Sequence, residues 1–265
     1  MSYPIHSFYL PPQPHAAVNL PIMNSHAGEV VWITGASSGI GYAIATAFAQ
    51  RGMGDLIAIS SRNVEKLQNA VARIEASTGK RVFAVRCDVT NSGEVTQATR
   101  TIADHFGAEI STLVHCAGIS PFTTFTETSV AEFDEVIQVN LKGAFLCSKA
   151  VLPAMYLRHR GTIVMMLSIA SEKAFKGGAA YVASKFALRG FTDSLREEAR
   201  KQGVRVIALL PGAVETELWG SEEREKYHER MMQPEDIATA VLDAVEMEDR
   251  ALVEEIRMRP IGGDL

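Results

Sequence analysis

From Glu29 onward, short apolar and β-branched runs alternate with longer stretches of helical periodicity. The runs Val30–Thr34, Leu56–Ser60, Val82–Arg86, Thr112–His115, Thr162–Leu167, Val204–Leu210 and Ala251–Ile256 predict seven strands. Helical stretches are predicted near 40–51, 64–77, 91–106, 129–158, 179–202 and 234–246. Several runs lack in/out alternation, the pattern of strands buried on both faces. Strand and helix in turn predict an α/β fold, a parallel sheet with helices on both sides. No repeat or linker divides residues 29–265, so one domain is expected. Residues 1–28 show no period and carry Pro4, Pro11, Pro12, Pro14 and Pro21 with His6, His15 and His26. They read as an extended or disordered arm, or as sequence upstream of a start at Met23. The charge-rich segment Ser221–Arg230 reads as a solvated insertion, within a short substrate lid at about 217–233.

Composition narrows the function. Hydrophobic residues at 47% and charged residues at 22% suit a globular chain with a sizeable core. A net charge of −5 and no basic stripe argue against a nucleic-acid partner. No apolar run reaches membrane-spanning length, and no basic region followed by an apolar core opens the chain. Cys87, Cys116 and Cys147 are odd in number and lack metal-ligand spacing, so neither a metal site nor a disulfide framework is expected. Free thiols suit a reducing cytoplasm.

The first strand ends in Thr34-Gly35-Ala36-Ser37-Ser38-Gly39-Ile40-Gly41, and a helix follows at once. Glycines let the backbone turn tightly and approach a ligand, and free N–H groups at a helix start can face a diphosphate. Gly35, Ser37, Ser38, Gly39, Ile40 and Gly41 are therefore candidate cofactor contacts. The second strand runs into Ser60-Ser61-Arg62-Asn63, with no acidic residue to meet a ribose 2′-hydroxyl. Arg62 and Ser61 can instead bond a 2′-phosphate, which predicts NADP(H) rather than NAD.

Tyr181 and Lys185, four residues apart, share one helix face. A free phenol has a pKa of about 10, and a nearby cation lowers it. Such a phenol can protonate an alkoxide as hydride arrives, or act as base in the reverse direction. Ser168 ends the fifth strand, where sheets of this kind place ligands, and its hydroxyl can hold a carbonyl oxygen. Asn140, inside a helical stretch, is either a harmless surface choice or a water site.

Together these residues resemble the short-chain dehydrogenase/reductase family over about residues 29–265. The likeness rests on Thr34 to Gly41, Asp88-Val89, Ala117-Gly118, Asn140, Ser168, Tyr181 with Lys185, and Pro211-Gly212 with Thr216. It implies a Rossmann-type doubly wound sheet ordered 3-2-1-4-5-6-7. It implies Tyr181 as acid/base, and Lys185 as the group that binds the nicotinamide ribose and lowers the tyrosine pKa. Ser168 would orient substrate, and Asn140 would hold a water linked to Lys185. Further cofactor contacts would come from Asp88, Val89, Ala117, Gly118, Pro211, Gly212, Val214 and Thr216. Two positions depart from the family pattern. His115-Cys116 replaces Asn-Asn, so Cys116 stands for an asparagine that braces the sheet, and Leu167 replaces a serine.

The C-terminal third resembles bacterial sepiapterin reductase-like members, through Leu218-Trp219-Gly220, Met231-Met232-Gln233-Pro234 and Val253-Glu254-Glu255-Ile256. Phe122, Phe175 and Trp219 lie in loops that crowd the nicotinamide in this fold, and aromatic walls suit a flat substrate. One reading sandwiches a planar ring between Phe175 and Trp219, with Asp264 capping a polar edge; the other packs the aromatics under loops and leaves Asp264 solvated. A small-molecule carbonyl or alcohol substrate follows. A 3-oxoacyl-[acyl-carrier-protein] reductase is the nearest alternative, and a non-catalytic NADP-binding sensor is the alternative of another class. The family likeness implies a homodimer or homotetramer through the stretches 129–158 and 179–202.

Overall fold

The computed structural model describes residues 29–52, 56–248 and 250–263. The proposed arm at 1–28 and Asp264 lie outside the described residues. Seven strands form one sheet: β1 Val30–Thr34, β2 Leu56–Ser61, β3 Phe83–Arg86, β4 Ile110–His115, β5 Gly161–Met166, β6 Val204–Pro211 and β7 Glu255–Met258. Their order is β3-β2-β1-β4-β5-β6-β7, and every neighbouring pair is parallel, as expected. β1 and β5 are buried at every position, which explains their unbroken apolar runs. The last strand lies further along than the run 251–256 predicts, because its ladder to β6 starts at Glu255 opposite Ala208 and ends at Met258.

The helices are α1 Gly39–Arg51, α2 Val64–Thr78, α3 Ser92–Phe106, α4 Val130–Ile137, α5 Gly143–Arg158, α6 Ala179–Arg200, α7 Ser221–Tyr227 and α8 Pro234–Glu246. The expected helical stretch 129–158 is helical from Val130 to Arg158 but is not α-helical throughout. A π-helical turn, Gln138–Lys142, separates α4 from α5. The charge-rich segment forms α7, which buries none of its residues. On one sheet face Ile33, Ile207 and Leu209 pack with Phe48, Leu67 and Leu242 from α1, α2 and α8. On the other, Trp32, Leu113 and Ile163 pack with Ile102, Met155 and Leu188 from α3, α5 and α6. Each such side chain, fully buried, contributes about 1.5–3 kcal/mol. The two cores fix the strand ends that build the site.

Candidate active site

The strand order of the sheet reverses between β1 and β4, and ligands of open α/β sheets bind beyond the strand C-termini at that point. A cleft of about 600 Å³ opens there, lined by the loops after β1, β4, β5 and β6 and by part of α7. The starts of α2, α3 and α4 are capped by the side chains of Asn63, Asn91 and Ser129. The start of α1 is not: Ser38 makes no side-chain cap bond, and the first turn holds no acid. Its N–H groups are left for an anion. Gly35, at φ 65°, lies so close to the β4 loop that an added Cβ would sit 2.7 Å from the Ala117 backbone. At Gly41 it would sit 2.6 Å from the Gly35 carbonyl oxygen.

The β1 and β4 loops are tied by a short polar chain. The Ala117 N–H donates to Thr34 Oγ1 at 3.3 Å, and that oxygen lies 3.0 Å from His115 Nδ1. Burial first, and the Lys185 charge second, push the His115 pKa down to about 3, so the imidazole is neutral. His115 and Thr34 thus make the cross-strand tie beside Cys116, which is only partly buried. Burial raises the Cys116 thiol to about 12 against the pull of Lys185.

Tyr181 and Lys185 are both buried on the inner face of α6. Lys185 Nζ donates to the Met166 carbonyl at 2.7 Å and stands 5.6 Å from the Tyr181 ring centroid. Burial lowers the Lys185 pKa to about 8, with the Cys116 sulfur opposing. The phenol is not lowered as the sequence implied. Burial raises the Tyr181 pKa, and the group that opposes this is the Ser168 hydroxyl, hydrogen-bonded to it. The lysine charge is committed to the strand carbonyl. Ser168 Oγ also accepts from the Ala170 N–H at 3.1 Å, capping the 3-10 turn Ile169–Ser171.

Asn140 is no surface residue; it is 1% exposed, at the centre of the π turn. Its Oδ1 accepts from the Ile119 N–H at 2.8 Å, and its Nδ2 donates to the Ile119 carbonyl and to Ser184 Oγ, both at 2.9 Å. Ser184 in turn donates to the Tyr181 carbonyl at 2.7 Å. Asn140 therefore clamps the β4 loop to the helix that carries Tyr181.

Gly35, Ser38, Gly39, Ile40, Gly41, Gly118, Ser168, Tyr181, Lys185, Pro211, Gly212, Val214 and Thr216 line the cleft. Ser37, Ala117 and Asn140 do not. Ser61, Arg62, Asp88 and Val89 lie at the neighbouring ends of β2 and β3, outside that space. Arg62 is half-exposed, 3.8 Å from Glu135. The Ser61 hydroxyl donates to the Asn63 carbonyl at 3.1 Å, so it must turn to serve a phosphate. The Asp88 carboxylate accepts from the Thr90 N–H and hydroxyl at 2.9 and 2.8 Å. Burial raises its pKa, but those bonds and the charges of Arg62 and Arg86 outweigh it and leave the group below its ordinary value.

The short chain dehydrogenase family profile matches residues 29–227. The chain belongs to that family. It is 35% identical over 242 residues to a sepiapterin reductase of Chlorobaculum tepidum, covering 89% of this chain and 98% of the relative. Among solved structures it is similar to an alcohol dehydrogenase of the archaeon Thermococcus sibiricus complexed with 5-hydroxy-NADP, with TM-score 0.78 and 30% identity over 88% of this chain and 97% of that one. It is also similar to a variant actinorhodin polyketide ketoreductase with NADPH, with TM-score 0.80 and 26% identity over 89% and 97%.

In this short-chain dehydrogenase Phe122, Phe175 and Trp219 meet at the cleft. Phe122 stacks on Trp219 at 5.4 Å between centroids and lies 6.2 Å from Phe175. Phe175 lies 6.5 Å from Tyr181. Phe122 is therefore in ring contact with both Phe175 and Trp219. Lys176, Leu218, Glu223 and Tyr227 also line the cleft; the last three fall within the expected lid at about 217–233, and Lys176 lies in the loop after β5. Ser184 was missed; its signal was a hydroxyl on the buried face beside Lys185. Among the described residues no cluster of His, Cys, Asp and Glu could hold a metal ion, and no helix is long and apolar enough to cross a membrane.

Proposed function

We propose that this chain is an NADP(H)-dependent carbonyl reductase that acts on flat, ring-bearing ketones, of the sepiapterin reductase-like type. The buried Tyr181–Ser168 hydrogen bond beside Lys185, facing a cleft that begins at the uncapped start of α1, carries the reading. The cofactor fits this chain. The free N–H groups of α1 suit the diphosphate, and the end of β2 offers Arg62 and no acid to a 2′-phosphate. Pro211, Gly212, Val214 and Thr216 would line the nicotinamide, and Asp88 and Val89 the adenine. The 5-hydroxy-NADP and NADPH held by the two solved structures support the same reading.

When bound, the reduced nicotinamide supplies the hydride that reaches the carbonyl carbon. Ser168 donates a hydrogen bond to the carbonyl oxygen and orients it. Tyr181, kept protonated by burial, gives its proton to that oxygen, so the alcohol leaves with both hydrogens accounted for. Lys185, held on the Met166 carbonyl, would bind the nicotinamide ribose, and the phenolate regains its proton from solvent. Asn140 keeps Ile119 and α6 in place while this happens. Phe122 and Trp219 shape the mouth for an aromatic ring. Phe133, Phe145 and Phe186, between 41% and 45% exposed on α4, α5 and α6, form apolar surface that supports self-association of two or four chains. Three free thiols suit a reducing cytoplasm.

The test is NADPH consumption against a panel of sepiapterin, a vicinal diketone, an acetoacetyl thioester and a simple aromatic ketone, with a Tyr181→Phe variant beside it. Turnover of the cyclic or aromatic ketones, lowered in the variant by roughly 10²- to 10⁴-fold, is the expected result. Preference for the thioester moves the assignment to acyl-carrier reduction. Tight NADPH binding with no reduction of any panel member contradicts the reading.

A further inference from the structure

Glu172 follows Ser168 by four residues, and the 3-10 turn ties the two together. The Ser171 N–H donates to the Ser168 carbonyl at 2.9 Å, and the Glu172 N–H to the Ile169 carbonyl at 3.0 Å. One oxygen of Glu172, Oε1, accepts from two guanidiniums, Arg189 Nη1 and Arg257 Nη2. Glu255 closes the ring, its Oε2 accepting from Arg189 and its Oε1 from Arg257, each at 2.9 Å. Acids and bases alternate, so the ring is neutral. The side chains of Glu172, Arg189 and Glu255 are 24%, 30% and 29% exposed. Arg257 is 47% exposed, so it is the shared acceptors linking two arginines that separate the ring from isolated surface pairs, which stabilise little.

The ring touches three elements of the site. Arg189 lies one helical turn beyond Lys185 and two beyond Tyr181, on neighbouring positions of α6. Glu255 and Arg257 share one side of β7. β7 continues to Met258, whose carbonyl accepts from the Gly212 N–H at 2.8 Å. Glu172 itself belongs to the Ser168 turn. We infer that Glu172 is a positioning residue: through Arg189 and Arg257 it fixes the Ser168 turn against α6 and β7, and so keeps Ser168 aligned with Tyr181. It touches no reacting atom. The inference rests on the reductase reading above.

Without the Glu172 charge, Arg189 and Arg257 are left to share Glu255, with Asp193 a further acid 4.0 Å from Arg189, and the turn loses its tether. A displacement of about 1 Å at reacting groups can lower rate by about 100-fold. The experiment uses the full chain with Glu172→Gln, Glu172→Asp, Glu255→Gln and Tyr181→Phe, measuring kcat and KM with NADPH and the best panel ketone, and kcat/KM against pH. Glu172→Gln lowers kcat by roughly 10- to 100-fold while KM for NADPH holds. Its alkaline limb moves to higher pH, because the Ser168 bond that counters the raised Tyr181 pKa is weakened. Glu172→Asp restores part of the rate, and Glu255→Gln repeats the pattern more weakly. A Glu172→Gln enzyme with unchanged kcat and pH limb, even if it melts earlier, overturns the positioning role. If that variant does not fold, Glu255→Gln is judged by the same criteria. An active Tyr181→Phe enzyme overturns the reductase reading itself, whereas an inactive one beside an unaltered Glu172→Gln overturns only this inference.

Discussion

Replacing Asn140 with alanine removes three hydrogen bonds at once, one buried and two partly buried. The Ile119 N–H and carbonyl and the Ser184 hydroxyl all lose the partner they have at 2.8, 2.9 and 2.9 Å. Ser184 keeps its bond to the Tyr181 carbonyl, so the two backbone groups of Ile119 bear most of the cost. A buried polar group left unpaired costs about 1–3 kcal/mol. Two such groups, with the lost packing, amount to about 3–5 kcal/mol, a large share of the 5–15 kcal/mol by which folded chains are stable. At roughly 2–4 °C per kcal/mol for a domain of this size, Tm falls by about 6–20 °C. Asn140→Asp keeps the acceptor for the Ile119 N–H but sets an oxygen against the Ile119 carbonyl, so it does not rescue. The assay is thermal unfolding by circular dichroism beside kcat with NADPH. The clamp joins the β4 loop to α6, so kcat falls as well as Tm. An alanine variant that melts with the parent chain and keeps its kcat refutes the reasoning.

Two other outcomes are expected. Arg62→Ala weakens NADPH binding by about 10- to 100-fold, the value of a hydrogen bond between charged groups, and leaves NADH binding unchanged; fluorescence titration of both cofactors checks this, and equal loss for the two refutes it. His115 makes the folded state refuse a proton that the unfolded chain takes up near pH 6.5. Its contribution to stability is full above pH 6.5 and is lost as pH falls toward 3. His115→Gln therefore flattens the fall of Tm with pH across that window, and an unchanged slope shows that other groups carry it.

The sheet was legible because its strands are apolar on both faces and end in turns rich in glycine and serine. The glycine loop, Ser168 and the Tyr181–Lys185 pair were legible as parts of one cleft because their places at strand ends and on one helix face follow from local spacing. The π turn at Gln138–Lys142 was not, since a shift of backbone bonding leaves hydrophobic periodicity almost unchanged; the polar Asn140 in an apolar stretch was its one trace. The Glu172 ring was invisible because its members lie 17 and 85 residues from Glu172 along the chain. The phenol pKa was misjudged for a related reason. The sequence brings a lysine near the tyrosine, but only the fold shows that lysine bound to Met166 and the tyrosine largely buried at the cleft wall. The aromatic loops were placed correctly at the cleft, yet their pairing depends on loop conformation, and Phe122 rather than Phe175 stacks on Trp219.

The central claim is that Tyr181 drives reduction of a carbonyl by hydride from NADPH. Incubating the protein with NADPH deuterated at the transferable position and the best panel ketone, then reading the alcohol by mass spectrometry, tests it directly. Deuterium on the former carbonyl carbon with the native chain, and almost none with a Tyr181→Phe variant that still binds NADPH, is the predicted result. Equal transfer by both chains, or an alcohol without the label, contradicts it.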